Sequence, residues 1–172
     1  ASHIHLLYFT LSYRKCKAKL LQFSLRIPYS YVRIKISGLV VVKIKHYLVD
    51  SENVNDNWLM LLELADEKDE MIIFYTKNSP HMSYSSVIKL LQQRRTLQFE
   101  ECYEGQNALD FQLISYLGYL IGKDEDKTSE FIVMSNDTGF DPAVRYWKQK
   151  GFLVNRINVN YCKLTLQRHK EA

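Results

Sequence analysis

The chain has 172 residues, with 23 Lys+Arg against 19 Asp+Glu and a formal net charge of +4. Hydrophobic residues make up 47%, charged residues 24%, and there are only six glycines and three prolines beside 2 Trp, 12 Tyr and 8 Phe. This composition excludes a wholly disordered, collagen-like or linker-dominated chain and suits one globular domain. The charge is uneven: residues 1–49 hold nine Lys/Arg and no acid, leaving a net of −5 on residues 50–172.

In chain order, residues 1–44 read as a basic N-terminal extension, irregular or folded as a β-hairpin. Within it Tyr29-Ser-Tyr-Val-Arg-Ile-Lys-Ile36 alternates as a strand does, and Ser37-Gly38 can turn the chain. Its composition suits a poorly packed extension, a targeting segment, a basic arm for nucleic acid or an attachment foreign to the gene product.

From Lys45 the pattern is regular. His46–Val49 predicts a short strand ending at Asp50, and Trp58, Leu59, Leu61, Leu62 and Ala65 predict a helix from Asn55. Met71–Tyr75 is a continuous apolar run of strand length. Ser85–Arg94 reads as a helix with serine at its start, Thr96–Tyr103 as an alternating strand, and Asn107–Ile121 as the strongest helix. A fourth strand follows at Phe131–Met134, then a helix at Pro142–Lys150 closed by Gly151 and a fifth strand at Phe152–Asn155. Residues 161–172 are expected to be a strand or tail. Alternating helices and uniformly apolar strands predict a doubly wound α/β domain over residues 45–160, with a mainly parallel sheet of about five strands.

No GxGxxG, GxxxxGK[ST] or GxSxG motif is present, which argues against dinucleotide binding, P-loop chemistry and a serine elbow. Cys16, Cys102 and Cys162 are widely spaced and form no CxxC pair, as expected of reduced thiols in a cytoplasmic protein. No run reaches the ~18–20 apolar residues of a membrane-spanning helix.

In doubly wound folds the site lies beyond the carboxyl ends of the strands. There the sequence places Asp50-Ser-Glu52-Asn53 and Ser135-Asn136-Asp137-Thr-Gly-Phe-Asp141. Helix capping accounts for Asp56 and for Asp141-Pro142. It suits Asp50 less, since a helix from Asn55 begins several residues later. Asp110 shares its helix face with Leu113, Ile114, Leu117 and Ile121; the local alternative makes Asn107 an N-cap with Asp110 two places inside the helix. Carboxylates ~4 Å apart repel by roughly 4 kcal/mol at an effective dielectric of 20. A cluster of Asp50, Asp110 and Asp137 is therefore sensible around Mg²⁺ or Mn²⁺, ions suited to metal-assisted attack of water on a phosphodiester.

The segments Tyr47-Leu-Val-Asp-Ser-Glu-Asn-Val54, Ile72–Thr76, Asn107-Ala-Leu-Asp-Phe-Gln-Leu113 with Tyr116-Leu-Gly-Tyr119, and Ile132-Val-Met-Ser-Asn-Asp-Thr-Gly-Phe-Asp141 together resemble the PIN-like nuclease superfamily, in its bacterial PIN-like branch related to NYN/PIN ribonucleases. The resemblance spans about residues 45–156. It implies cleavage of RNA, usually single-stranded, with Asp50, Asp110 and Asp137 as catalytic metal-binding acids. It makes Asp141 an auxiliary acid and metal ligand, Glu52 an auxiliary acid, and Ser135, Asn136 and Asn53 residues that orient water or substrate. Members of this branch often carry lysine where Asn136 or Thr138 stands here. Lys77, Lys89, Arg94, Arg95, Lys148 and Arg156 are the candidate phosphate contacts. The alternatives are a toxin-like nuclease held by an antitoxin, and a catalytically inactive PIN-like module that binds RNA, another protein or a second copy of itself.

Overall fold

The computed structural model describes residues 43–171. The strand expected at Tyr29–Ile36 and its turn at Ser37-Gly38 lie outside the described residues. Five strands, β1 (Lys45–Asp50), β2 (Glu70–Tyr75), β3 (Leu97–Glu101), β4 (Glu130–Met134) and β5 (Leu153–Ile157), lie in the order β3-β2-β1-β4-β5. Every neighbouring pair is parallel. The helices are α1 (Ser51–Val54), α2 (Leu61–Leu64), α3 (Tyr84–Leu91), α4 (Ala108–Lys123), α5 (Asp141–Gln149) and α6 (Val159–Glu171).

Successive strand side chains point to opposite faces, so each apolar strand feeds two cores. Leu48, Ile72, Phe74, Phe131 and Val133 pack beneath Leu109, Leu113, Leu117 and Ile121 of α4 and Val144 of α5. Tyr47, Val49, Met71, Ile73, Ile132 and Met134 pack against Val54, Trp58, Leu61 and Cys162. Burial on both faces is why Met71–Phe74 and Phe131–Met134 carry no polar alternation. Cys102 and Cys162 are buried free thiols, and no described helix is long and apolar enough to cross a membrane.

Four elements depart from expectation. The helix predicted from Asn55 starts at Ser51: Asp50 caps α1 by accepting from the Asn53 N–H at 3.2 Å. Asn55, at φ 50°, then breaks the α-helical run, and Asn55–Met60 continues as a tighter 3-10 turn that still buries Trp58. The strand β3 and helix α3 are shorter than the apolar patterns suggest, α3 opening at Tyr84 on a Ser83 cap. Finally, the expected C-terminal strand or tail is the helix α6. Asn158 Oδ1 accepts from the Tyr161 N–H at 2.8 Å at its start, and Val159 and Cys162, three apart, are buried on one face.

The end of α5 follows the chain's own signal. Gly151, at φ 83°, takes the left-handed position. The Gly151 N–H reaches Lys148 O at 3.0 Å and the Phe152 N–H reaches Trp147 O at 3.2 Å, a Schellman arrangement. The Trp147 and Phe152 rings meet edge-on at 5.8 Å across it. Two glycines should therefore respond oppositely to alanine. Gly151→Ala, forced to positive φ, is expected to cost about 1 kcal/mol in urea unfolding. Gly122→Ala, in a helix where an added Cβ meets nothing within 4 Å, should gain about 0.5–1 kcal/mol.

Candidate active site

The strand order reverses direction between β1 and β4, so the crevice of this sheet opens where those two strands end. Val49 pairs with Met134 in register, which sets the next residues, Asp50 and Ser135, side by side. Both are buried, Asp50 at 3% exposure and Ser135 at 0%. Ser135 Oγ donates to Asp50 Oδ2 at 2.8 Å, while Oδ1 takes the Asn53 N–H. Burial pushes the Asp50 carboxyl up to about 6. The Ser135 and Asn53 hydrogen bonds hold it back, and the negative charges of Asp110 and Glu52 raise it further. The capping bond at Asp50 is therefore real, but it satisfies one oxygen only.

Asp110 stands in the first turn of α4, half-buried, beside the stripe Leu109, Leu113, Leu117 and Ile121. The local capping alternative does not hold. Asn107 has left-handed backbone and makes no side-chain bond to the helix, and the Asp110 carboxylate forms no hydrogen bond or ion pair with another described residue. Its carboxyl is raised by burial first, then by Asp137 and Glu52. Asp110 and Glu52 both line a cavity of about 440 Å³, whose wall includes Thr76 and Asn78. Thr76 Oγ1 donates to Glu52 Oε1 and accepts from the Asn78 N–H at 3.1 Å. Thr76 was not among the residues expected at the site; its only signal in the chain is a hydroxyl directly after the apolar run of β2.

The loop after β4 carries the remaining residues. Asp137, exposed, caps the 3-10 turn Thr138–Phe140 by accepting from the Gly139 N–H at 2.8 Å, and its own N–H donates to Ser135 Oγ at 3.0 Å. Asn53 Oδ1 accepts from the Asn136 N–H, and Asn136 Nδ2 donates to Asn53 O, each at 3.2 Å. Asn136 Oδ1 also takes the Val159 N–H at 3.2 Å. These hydrogen bonds latch the loop after β1 to the loop after β4.

Asp141 stands apart from this group. It is the first residue of α5 and gives that helix no side-chain cap. Both its oxygens face Arg156, whose Nε donates at 2.6 Å and Nη2 at 3.2 Å. That pairing, with the Arg156 charge, holds the Asp141 carboxyl below the usual carboxylate range. Arg156 Nη1 also donates to Ser135 O at 3.0 Å, so Asp141 is already neutralised by a guanidinium that is itself tied to the loop after β4. Arg95 is similarly engaged, its Nη2 donating to Leu62 O and Ala65 O.

Four acids, Asp50, Glu52, Asp110 and Asp137, thus act on one another electrostatically at the mouth of one crevice. Among the described residues no three His, Cys, Asp or Glu side chains stand close enough to hold an ion between them. An all-oxygen donor set with one buried, one half-buried and two exposed carboxylates fits a hard divalent cation that keeps several of its waters, as Mg²⁺ and Mn²⁺ do.

A family model described as PIN domain matches residues 44–157, about two thirds of the chain. The chain belongs to the PIN domain family. PIN domains are generally nucleases and generally use divalent metal ions. No curated protein and no solved structure matches the chain.

The charge on Asp50 gives this PIN domain a pH-dependent stability. The unfolded carboxyl releases its proton near 3.8 and the folded one near 6, so the folded state holds the extra proton between those values. Stability is full below about pH 4 and falls as pH rises through about 6. A shift of this size is worth about 3 kcal/mol at most. In EDTA at pH 7.5, Asp50→Asn is expected to melt higher than the parent protein, by the equivalent of about 1–3 kcal/mol. That advantage should vanish near pH 4; a lower melting temperature at both pH values would contradict it.

Proposed function

We propose that this PIN domain is a divalent-metal-dependent endoribonuclease that hydrolyses phosphodiester bonds of single-stranded RNA. The observation that carries the reading is Asp50: a carboxyl at the end of the central strand, pushed upward mainly by burial and further by two like charges, beside an Asp110 carboxylate that bonds no other described residue. Such an arrangement is unfavourable alone and is relieved by a cation. Asp50 and Asp110 would hold Mg²⁺ or Mn²⁺ together with several retained waters, with Asp137 and Glu52 adding negative charge at the rim. When bound, the ion supplies an activated water and neutralises charge on the scissile phosphate.

The chain's own residues do the positioning. Ser135 and the Asn53 N–H fix the orientation of Asp50, the Asn53–Asn136 latch keeps the two strand ends together, and Thr76 orients Glu52. Lys77, exposed, would supply positive charge for phosphate; it pairs at 3.5 Å with Glu104, which lines the cavity. The preference for single-stranded RNA rests on the family and on the motifs at Asp50, Asp110 and Asp137.

The test is cleavage of an end-labelled single-stranded RNA with Mn²⁺ or Mg²⁺. EDTA should abolish it, and Asp50→Asn or Asp110→Asn should each lower it at least about a hundredfold. Ser135→Ala, which removes the bond that orients Asp50 and the acceptor of the Asp137 N–H, should cost about ten- to a hundredfold. Cleavage that survives EDTA and both aspartate substitutions would overturn the metal mechanism. Absence of cleavage of any RNA, with binding retained, would favour the inactive binding module.

A further inference from the structure

Beyond the acids lies a second cavity of about 390 Å³, and its chemistry differs from the first. Its walls are Trp58, Tyr75, Met82 and Phe99, with Ile73 at the floor. The Trp58 and Phe99 rings meet edge-on, 6.2 Å apart at 73°, and Phe99 remains 46% exposed on the edge strand. Asn55 and His81, both exposed, are among its several polar lining residues. Neither carboxamide nor imidazole makes a hydrogen bond or ion pair with another described residue. Asn55 is moreover held at φ 50°, a conformation asparagine tolerates better than most residues. The cavity adjoins the acidic one, since Thr76 and Pro80 line both.

We propose that the Trp58–Phe99 cavity is a nucleobase subsite, which seats the base of a nucleotide next to the phosphodiester held at Asp50 and Asp110. This inference rests on the ribonuclease reading and adds a specificity element to it. A flat ring is the occupant that uses both parts of the wall. Its face lies against the exposed Phe99 and the partly exposed Tyr75, next to the buried Trp58, and its edge offers donors and acceptors to an amide and an imidazole that bond no other described residue. An aliphatic side chain would bury the rings and strand the Asn55 and His81 groups. The shared wall fixes the order: a strand whose phosphate reaches the acids turns its neighbouring base over Thr76 and Pro80.

The test uses the full chain carrying Trp147→Phe, which leaves Trp58 the sole tryptophan. With EDTA present, so that no metal site contributes, adenosine and cytidine should quench Trp58 fluorescence saturably while ribose does not. Phe99→Ala should weaken nucleoside binding about tenfold, the scale of a single base–aromatic stack. Asn55→Gly, which suits the positive φ and deletes only the carboxamide, should weaken it severalfold and change the preference between the two nucleosides. Equal quenching by ribose, or unchanged binding in both variants, would overturn the subsite. A Trp58 signal that depends on protein concentration alone would overturn it in favour of a second copy covering the cavity. RNA cleavage with no nucleoside binding sinks the subsite alone, whereas nucleoside binding without RNA cleavage supports the subsite and sinks the nuclease reading alone.

Discussion

Water is excluded from one carboxyl group at the point where the two central strands of the sheet end. Asp50 is placed there by the parallel register of β1 and β4, which carries the same pairing that joins Val49 to Met134 onward to Asp50 and Ser135. A carboxylate in that position loses much of its hydration, and the Ser135 hydroxyl and Asn53 amide restore only part of it. The neighbouring acids then add repulsion instead of relief. The fold therefore accepts a destabilising charge in its most central crevice, at a place where the surrounding packing is rigid enough to hold it.

The remaining parts of the site serve that position. The mutual Asn53–Asn136 hydrogen bonds tie the first loop to the fourth, and Arg156 clamps the same loop from β5 through Asp141 and Ser135 O. Helix α4, anchored by Leu109, Leu113, Leu117 and Ile121, carries Asp110 to the rim on a rigid element. Acids that look alike in composition thus divide by environment. Asp141 is neutralised by an arginine, Asp137 caps a turn at the surface, Asp50 is hydrogen-bonded at both oxygens but paired with no described cation, and Asp110 bonds no other described residue. Fold membership alone would not make this division; it follows from the hydrogen bonds of each group.

Much of the architecture could be read from the chain because its signals were local. Continuous apolar runs such as Met71–Phe74 and Phe131–Met134 mean burial on both faces, and Gly151 after α5 marks a left-handed turn. The helix at Ser51 was not legible, since Asp50-Ser-Glu-Asn lacks an apolar face and is helical only through a cap that depends on the strand before it. The helix α6 was missed for a related reason: only Val159 and Cys162 of its thirteen residues are fully buried, too few to print a period. At the site, the positions of Asp50, Asp110 and Asp137 were readable from their places after strands or on a helix face. The pairing of Asp141 with Arg156 was not, because it joins residues on different elements, and no spacing in the chain announces it.

The central claim is that the fold holds Asp50 and Asp110 in readiness for a divalent cation, and binding of Mn²⁺ to the protein without RNA tests it most directly. Titration followed by electron paramagnetic resonance of free Mn²⁺ should show binding at pH 7.5, with affinity falling as pH drops through about 6 and Asp50 takes up its proton. Both Asp50→Asn and Asp110→Asn should weaken it at pH 7.5, while Asp141→Asn should leave it close to the parent value. Binding independent of pH between 5 and 7.5, or equal in the parent and both aspartate variants, would contradict the account.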